Sequence, residues 1–344
     1  MKTKNSLLLL TAFIWGMAFV SQSKGMDYMH PLTFNGIRSL IGAATLGVYI
    51  FFSQRRQRKT VAEKMAAKEA AAEKATAEEA AAERAAAEKT GAGMKFEETK
   101  KTDWAVTLRA GIWCGLALTT ASTLQQFGIK YTSVGKAGFI TTLYIIFVPL
   151  AGIFFRKKVS GVVWAGAVMA AFGMYLLCMT ESFVPGAGDI LVFLSALVFA
   201  AHILIVDHFS PKTDGVLVSC IQFIICGVVC TTGALFWGSP DPGQIRDGLG
   251  TLLYAGVLSC GVAYTLQIVG QKGVNPTVAA LILSLESVFA TVAGWIAYEI
   301  GFLKTDQTLT GRQIGGCILV FAAVILVQLP DRWFRRKRVQ ESRE

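Results

Sequence analysis

Glu286 stands about ten residues into an apolar run, in "LSLESVFATVAGWIAYE" at 283–299, and Glu299 closes the same stretch. At the helical rise this depth is about 15 Å, close to the middle of a bilayer core about 30 Å thick. A carboxyl there is costly unless it is protonated, paired or facing water. It is either satisfied by a neighbouring helix and locks the bundle, or it is a gated site for a proton or a cationic substrate. Intramembrane acids default to the second reading. Glu299 lies about 20 Å further along a helix and reaches the aqueous rim, where an acid costs little.

Other polar side chains sit at similar depth. Arg38 lies inside the second apolar run, too deep for a simple interfacial anchor. It can snorkel to the surface, pair with Glu286, or bind an anionic group. Tyr144 offers a donor and an aromatic wall. With Glu286, Arg38 and Tyr144, the candidate substrate- and proton-binding residues are Trp15, Gln126, Gln222, Tyr264 and Gln267. Gln22, Gln125 and His202 also fall within or near apolar runs. Amides in membrane helices commonly bond to neighbouring helices, so packing is the competing reading for each. Together they suit a polar, hydrogen-bonding substrate with an apolar portion.

Enzyme chemistry is not expected. "GKAG" at 135–138 lacks the spacing and the Ser/Thr of a phosphate-binding loop, and no HExxH or G-x-S-x-G is present. The seven cysteines all fall in apolar runs without the paired spacing of a metal or haem site, and there are three histidines. No cofactor and no metal are expected.

The elements that must hold these residues are membrane helices. Of 344 residues, 53% are hydrophobic and 16% charged, against about 25% charged in soluble domains. Residues 54–103 alone hold 12 of the 33 Lys/Arg and 10 of the 23 Asp/Glu. Ten runs are long enough to span as helices: 5–23, 32–52, 104–124, 134–155, 160–179, 188–206, 215–237, 249–269, 277–298 and 311–329. The first follows Lys2 and Lys4. A cleaved leader is the alternative reading there, set aside because the repeat described next uses this segment.

The net charge of +10 does not point to nucleic acid. Its clusters, Arg55–Lys59, Arg156–Lys158 and Arg335–Arg338, each follow an apolar run directly, where they fix orientation and meet anionic head groups. They place both termini in the cytoplasm, in a multi-pass protein of the plasma membrane. The partners expected are the lipid bilayer, a small-molecule substrate and protons, with monomer and homodimer both open.

Residues 124–157 align on 266–299 without a gap. Gln125 meets Gln267, Gly128 meets Gly270, Lys130 meets Lys272, Leu143 meets Leu285, and Tyr144 falls on Glu286. More weakly, 7–20 aligns on 191–204. Each half then holds five spans, an odd number, so the second half enters the membrane inverted relative to the first. Transporters built on such repeats bind substrate near the midplane, at the repeat interface.

"FIWGMAFV" in the first run, "NGIRSLIGA" in the second, the two aligned halves and "LESVFATVAGWIAYE" resemble an EamA-type transporter of the drug/metabolite transporter superfamily. The resemblance covers both halves and leaves out 54–103 and the tail. It implies an all-α integral membrane protein whose ten transmembrane helices form two inverted five-helix repeats, moving metabolites, often outward, without ATP. Two positions depart from the pattern. Ser287 stands where members carry Pro after the Leu-Glu pair, so no proline imposes a kink there. Lys157 replaces the acid that members tend to carry at the end of the fourth span.

The organisation expected is helices 1–2 of the first repeat in 1–53, a cytoplasmic charged insert in 54–103, helices 3–5 in 104–180, the second repeat in 188–329 and a basic tail in 330–344. The Ala-rich stretch 63–89 favours a solvated helix held by alanine propensity, since it lacks a stripe of large apolar residues. Gly111-x-x-x-Gly115 and Gly311-x-x-x-Gly315 predict close helix contacts. The function expected is a secondary transporter exporting small metabolites such as amino acids, by alternating access and with proton coupling. Efflux of lipophilic cations and a non-transporting membrane scaffold are the alternatives.

Overall fold

The computed structural model describes residues 2–74, 103–154, 161–178, 186–304 and 306–328, and every regular element among them is helical. The Arg156–Lys158 cluster, most of the Ala-rich insert and the basic tail lie outside the described residues. The chain divides into two compact units, one of Met1–Leu46 with Trp104–Glu344, the other of Gly47–Asp103. In the second unit, Arg55 lies over the Phe51 ring at 4.3 Å and the helix continues to Lys74.

The helices follow the apolar runs. They are α1 (Lys2–Gly25), α2 (Pro31–Lys74), α3 (Trp104–Ile129), α4 (Val134–Thr142), α5 (Tyr144–Phe154), α6 (Gly161–Cys178), α7 (Ala187–Phe209) and α8 (Gly215–Trp237). After the short α9 (Pro242–Asp247), one continuous rod is built from α10 (Leu249–Leu253), a π-helical stretch (Tyr254–Ala263) and α11 (Tyr264–Gln271). The last are α12 (Pro276–Leu283), α13 (Glu286–Glu299) and α14 (Gly311–Gln328). Local chemistry sets the starts. Pro31 and Pro276 open helices where a missing N–H costs nothing, and the side chains of Ser133, Asp214 and Asn275 cap first-turn amides.

Seven stretches have the length and apolarity to cross a membrane: Thr3–Gly25, Pro31–Arg56, Val134–Ile153, Ala187–Phe209, Gly215–Trp237, Leu249–Gln271 and Pro276–Glu299. Two more apolar helices, Gly161–Gly173 and Gly311–Val327, are shorter. The expected span at 104–124 does form a helix, α3, but Arg109, with its Thr and Ser residues, lowers the hydropathy and it is not among those seven. Large apolar side chains such as Phe13, Trp113, Val228 and Phe236 point outward, as in helices whose surroundings are hydrocarbon.

Two of the spanning stretches are interrupted. Leu143 separates α4 from α5, and Ser284 with Leu285 separates α12 from α13. At both breaks the bonding tightens to a shorter step, Leu143 N to Ile140 O at 3.2 Å and Leu285 N to Ile282 O at 3.3 Å. Without proline at 287, the break is held by Ser287, whose N and Oγ both donate to Ser284 O, at 3.1 and 2.8 Å.

Small residues let the helices close on one another. A Cβ on Gly16 of α1 would lie 2.3 Å from Phe289 Cβ in α13, and one on Gly111 of α3 would lie 2.5 Å from Ile221 in α8. The second small-residue pair does not behave as expected. Gly311 and Gly315 have nothing within 4 Å among the described residues, because α14 turns Gly316, Val320 and Ala323 toward α6 instead. There Gly173 and Gly166 make the close approach, with a Cβ on Gly173 falling 2.9 Å from Val320.

Candidate functional site

The breaks place Tyr144 and Glu286 as the first residues of α5 and α13. Tyr144 Oη donates to Glu286 Oε1 at 2.9 Å, and both side chains are buried, 2% and 3% exposed. A carboxyl in the first turn of a helix is favoured by the macrodipole. The break at Ser284–Leu285 therefore gives Glu286 a local electrostatic partner as well as the phenol.

Around this pair lies a small cavity of about 30 Å³, room for one or two waters. Six of the eight candidate residues line it: Glu286, Tyr144, Arg38, Trp15, Tyr264 and Gln267. Gln22, Gln125 and His202 line it too, with Thr141, Ser259, Phe19, Phe199 and Ile203. Thr141 and Ser259 escape sequence reading because hydroxyls on membrane helices usually bond their own backbone. Here Thr141 Oγ1 accepts from Gln125 Nε2 at 3.0 Å.

Gln126 and Gln222 do not line the cavity. Gln126 Nε2 donates to Gln22 O at 3.2 Å, turning the amide toward the α1 backbone. Gln222 Oε1 is 3.1 Å from His202 Nε2 and supports that ring from behind. His202 is thus held by a neighbouring amide and also faces the cavity.

Arg38 does not snorkel. It is 5% exposed, stacks over the buried Phe34 ring at 5.5 Å and lines the cavity. Among the described residues no ion pair joins it to Glu286. The guanidinium and the carboxyl share one chamber without an ion pair between them. Arg38 Nε, Trp15 Nε1, Gln22 Oε1 and Gln267 Oε1 are buried there without a hydrogen-bond partner among the described residues. Tyr264 packs against Trp15 at 4.6 Å with the rings tilted by 57°, and it meets Phe223 and His202 edge-on, building an aromatic wall. Just outside the spans, His30 is held below the usual imidazole range, by its burial first and by Lys130 second.

Four aligned pairs from the two halves face the same cavity: Tyr144 with Glu286, Gln125 with Gln267, Trp15 with Phe199 and Phe19 with Ile203. Continued without a gap, the second alignment also sets the end of α1 on the end of α7 and the start of α2 on the start of α8.

The family described as the EamA-like transporter family matches residues 3–67 and 186–329. A protein of Archaeoglobus fulgidus named as an uncharacterized transporter is 30% identical over 225 residues, 64% of this chain and 68% of its own. One solved crystal structure superposes with a TM-score of 0.65 over 97% of this chain and 99% of its own, at 12% identity, a likeness of fold alone.

Proposed function

The chain belongs to the EamA-like transporter family, and on that footing we propose that it is a secondary transporter exporting small zwitterionic metabolites such as amino acids. Its ten helical runs form two inverted five-helix repeats, it works by alternating access without catalysing a reaction, and it sits in the plasma membrane with both termini in the cytoplasm. The observation that carries the reading is that Arg38 and Glu286 line one cavity without pairing with each other. A guanidinium takes a carboxylate in a two-pronged contact, and a carboxylate takes an ammonium. The aromatic wall of Trp15 and Tyr264 then receives an apolar side chain.

Glu286 also carries the proton in this scheme. It releases its hydrogen bond from Tyr144 when an ammonium arrives, and it takes a proton when the ammonium leaves. Supporting the repeat organisation are the equivalent breaks at Leu143 and Ser284–Leu285 and the four aligned pairs around the cavity. Arg38 in the same chamber weighs against a site for lipophilic cations, since a second positive charge would repel them.

Reconstitution tests this reading. Vesicles containing the full chain should take up a labelled neutral amino acid under an imposed pH gradient, and unlabelled amino acids should compete. Competition by lipophilic cations alone would assign the site to the alternative substrate class.

A further inference from the structure

Two of the polar contacts between the sequence halves stand one at each end of α1. Where α1 finishes, Asp189 in the first turn of α7 accepts three hydrogen bonds. They come from Lys136 Nζ at 2.5 Å, Thr132 Oγ1 at 2.8 Å and Gly186 N at 2.9 Å. Its carboxyl is buried, 5% exposed. Beside it Gly128 lies so close to α7 that a Cβ would fall 2.4 Å from Val192 and 2.7 Å from Gly188 O. Where α1 begins, Lys4 Nζ donates to Lys272 O at 2.5 Å in an exposed contact. Beside that, Gly270 packs on Leu8, with a Cβ falling 3.2 Å from its side chain.

The ends are on opposite faces. From Lys4 to Gln22, whose carbonyl meets the end of α3, α1 runs about 27 Å, close to the thickness of a bilayer core. Under the two alignments, Gly270 stands on Gly128, Lys272 on Lys130 and Leu8 on Val192. The packing of a glycine on an aliphatic side chain is therefore made twice by equivalent elements. The polar contact beside it differs between the two places. On one face three donors, one of them charged, converge on a buried carboxylate, and on the other an ammonium in water meets a single carbonyl.

We propose that these are the two latches of the transport cycle, one per membrane face. Their inequality holds the Lys136–Asp189 face shut and lets the resting protein open at the Lys4–Lys272 face. The inference rests on the transporter reading above, and the latches flank the cavity that reading assigns to substrate. When the start of α7 leaves the α3–α4 turn, Lys136 and Asp189 both regain water, so opening strands neither charge. With the termini in the cytoplasm, the weaker latch is the cytoplasmic one, which suits a protein that loads its cargo from inside.

The test is side-resolved labelling. Thr141 lines the cavity wall. Thr141→Cys is reacted with a membrane-impermeant maleimide in right-side-out and inverted vesicles, over the same chain without the new thiol. The parent should react faster from the Lys4 face. Asp189→Asn and, separately, Lys136→Met should raise reaction from the other face about fivefold or more. Exchanging the pair, Lys136→Asp with Asp189→Lys, should bring it back down. Lys136→Met leaves Asp189 its contacts with Thr132 and Gly186, so it answers the question even where Asp189→Asn disturbs folding.

Unchanged reaction in both single variants, or a parent that reacts mainly from the Lys136 face, overturns the proposal. Uptake measured in vesicles of the same chains with Thr141 retained separates the two ideas. Labelling that shifts without any uptake keeps the latches and removes the transport reading. Uptake with unmoved labelling does the reverse.

Discussion

Tyr144 Oη and Glu286 Oε1 are 2.9 Å apart across 142 residues of chain, and each residue opens a helix that resumes after a break. The polar centre of this membrane protein is thus made where two interrupted helices restart. A break frees backbone groups and aims helix ends inward, which is where irregular backbone is tolerated at membrane depth.

Glu286→Gln keeps the shape of the side chain and removes its charge and its capacity to take up a proton. Uptake driven by a pH gradient should fall to the level of empty vesicles, while the melting temperature stays within about 4 °C of the parent. Gradient-driven uptake at the parental rate would remove Glu286 from the coupling step.

Tyr144→Phe deletes one hydroxyl and leaves a buried carboxyl without its phenolic donor. The expected cost is about 1–3 kcal/mol of stability, read as a lower thermal midpoint in detergent. Tyr144→His, which can still donate, should recover part of that loss.

Arg38→Met tests the carboxylate end of the substrate. Affinity for an amino acid should drop about tenfold to a hundredfold, the range expected for a lost charged hydrogen bond. Affinity for the corresponding amine without its carboxylate should change much less. Equal losses for both compounds would mean that Arg38 supports the fold rather than the substrate.

Gly16→Ala sets a methyl carbon 2.3 Å from Phe289 Cβ and 2.9 Å from both Ala290 N and Glu286 O. None of these atoms is the flexible end of a side chain, so α1 and α13 must part. Destabilisation of about 1–3 kcal/mol is expected by thermal unfolding, with impaired transport because the displaced segment begins at Glu286. Gly311→Ala, with nothing within 4 Å among the described residues, serves as the neutral control.

Deletion of residues 60–95 should leave uptake unchanged, since the cavity is built wholly from residues of the other compact unit. Loss of uptake in a deletion that still inserts would give this segment a direct part in transport.

Hydropathy locates the helices well, because bilayer thickness imposes their length. It does not see the breaks. Val134–Ile153 and Pro276–Glu299 each read as one apolar span in spite of the Thr, Ser and Glu residues around Leu143 and Leu285, and hydropathy is blind to a local change in hydrogen-bond step. The alignment that pairs Tyr144 with Glu286 carries the information that hydropathy lacks. At the site, the strongest intramembrane charges and aromatics are legible as single residues. Whether Gln126 and Gln222 turn into the cavity depends on which backbone or ring each amide meets, and spacing along one helix does not encode that. Lys136 and Asp189 look like ordinary charges near helix ends, and only tertiary packing brings them together.

The small volume of the central cavity has a consequence for every binding measurement. A chamber of about 30 Å³ admits one or two waters and no amino acid, so the conformation described here must expand before cargo fits. A measured dissociation constant then equals the intrinsic one divided by the fraction of molecules that are open. Substitutions far from the chamber can strengthen apparent affinity simply by making the open form commoner. Ranking ligands on one variant reports fit, whereas ranking variants on one ligand reports how often the door stands ajar.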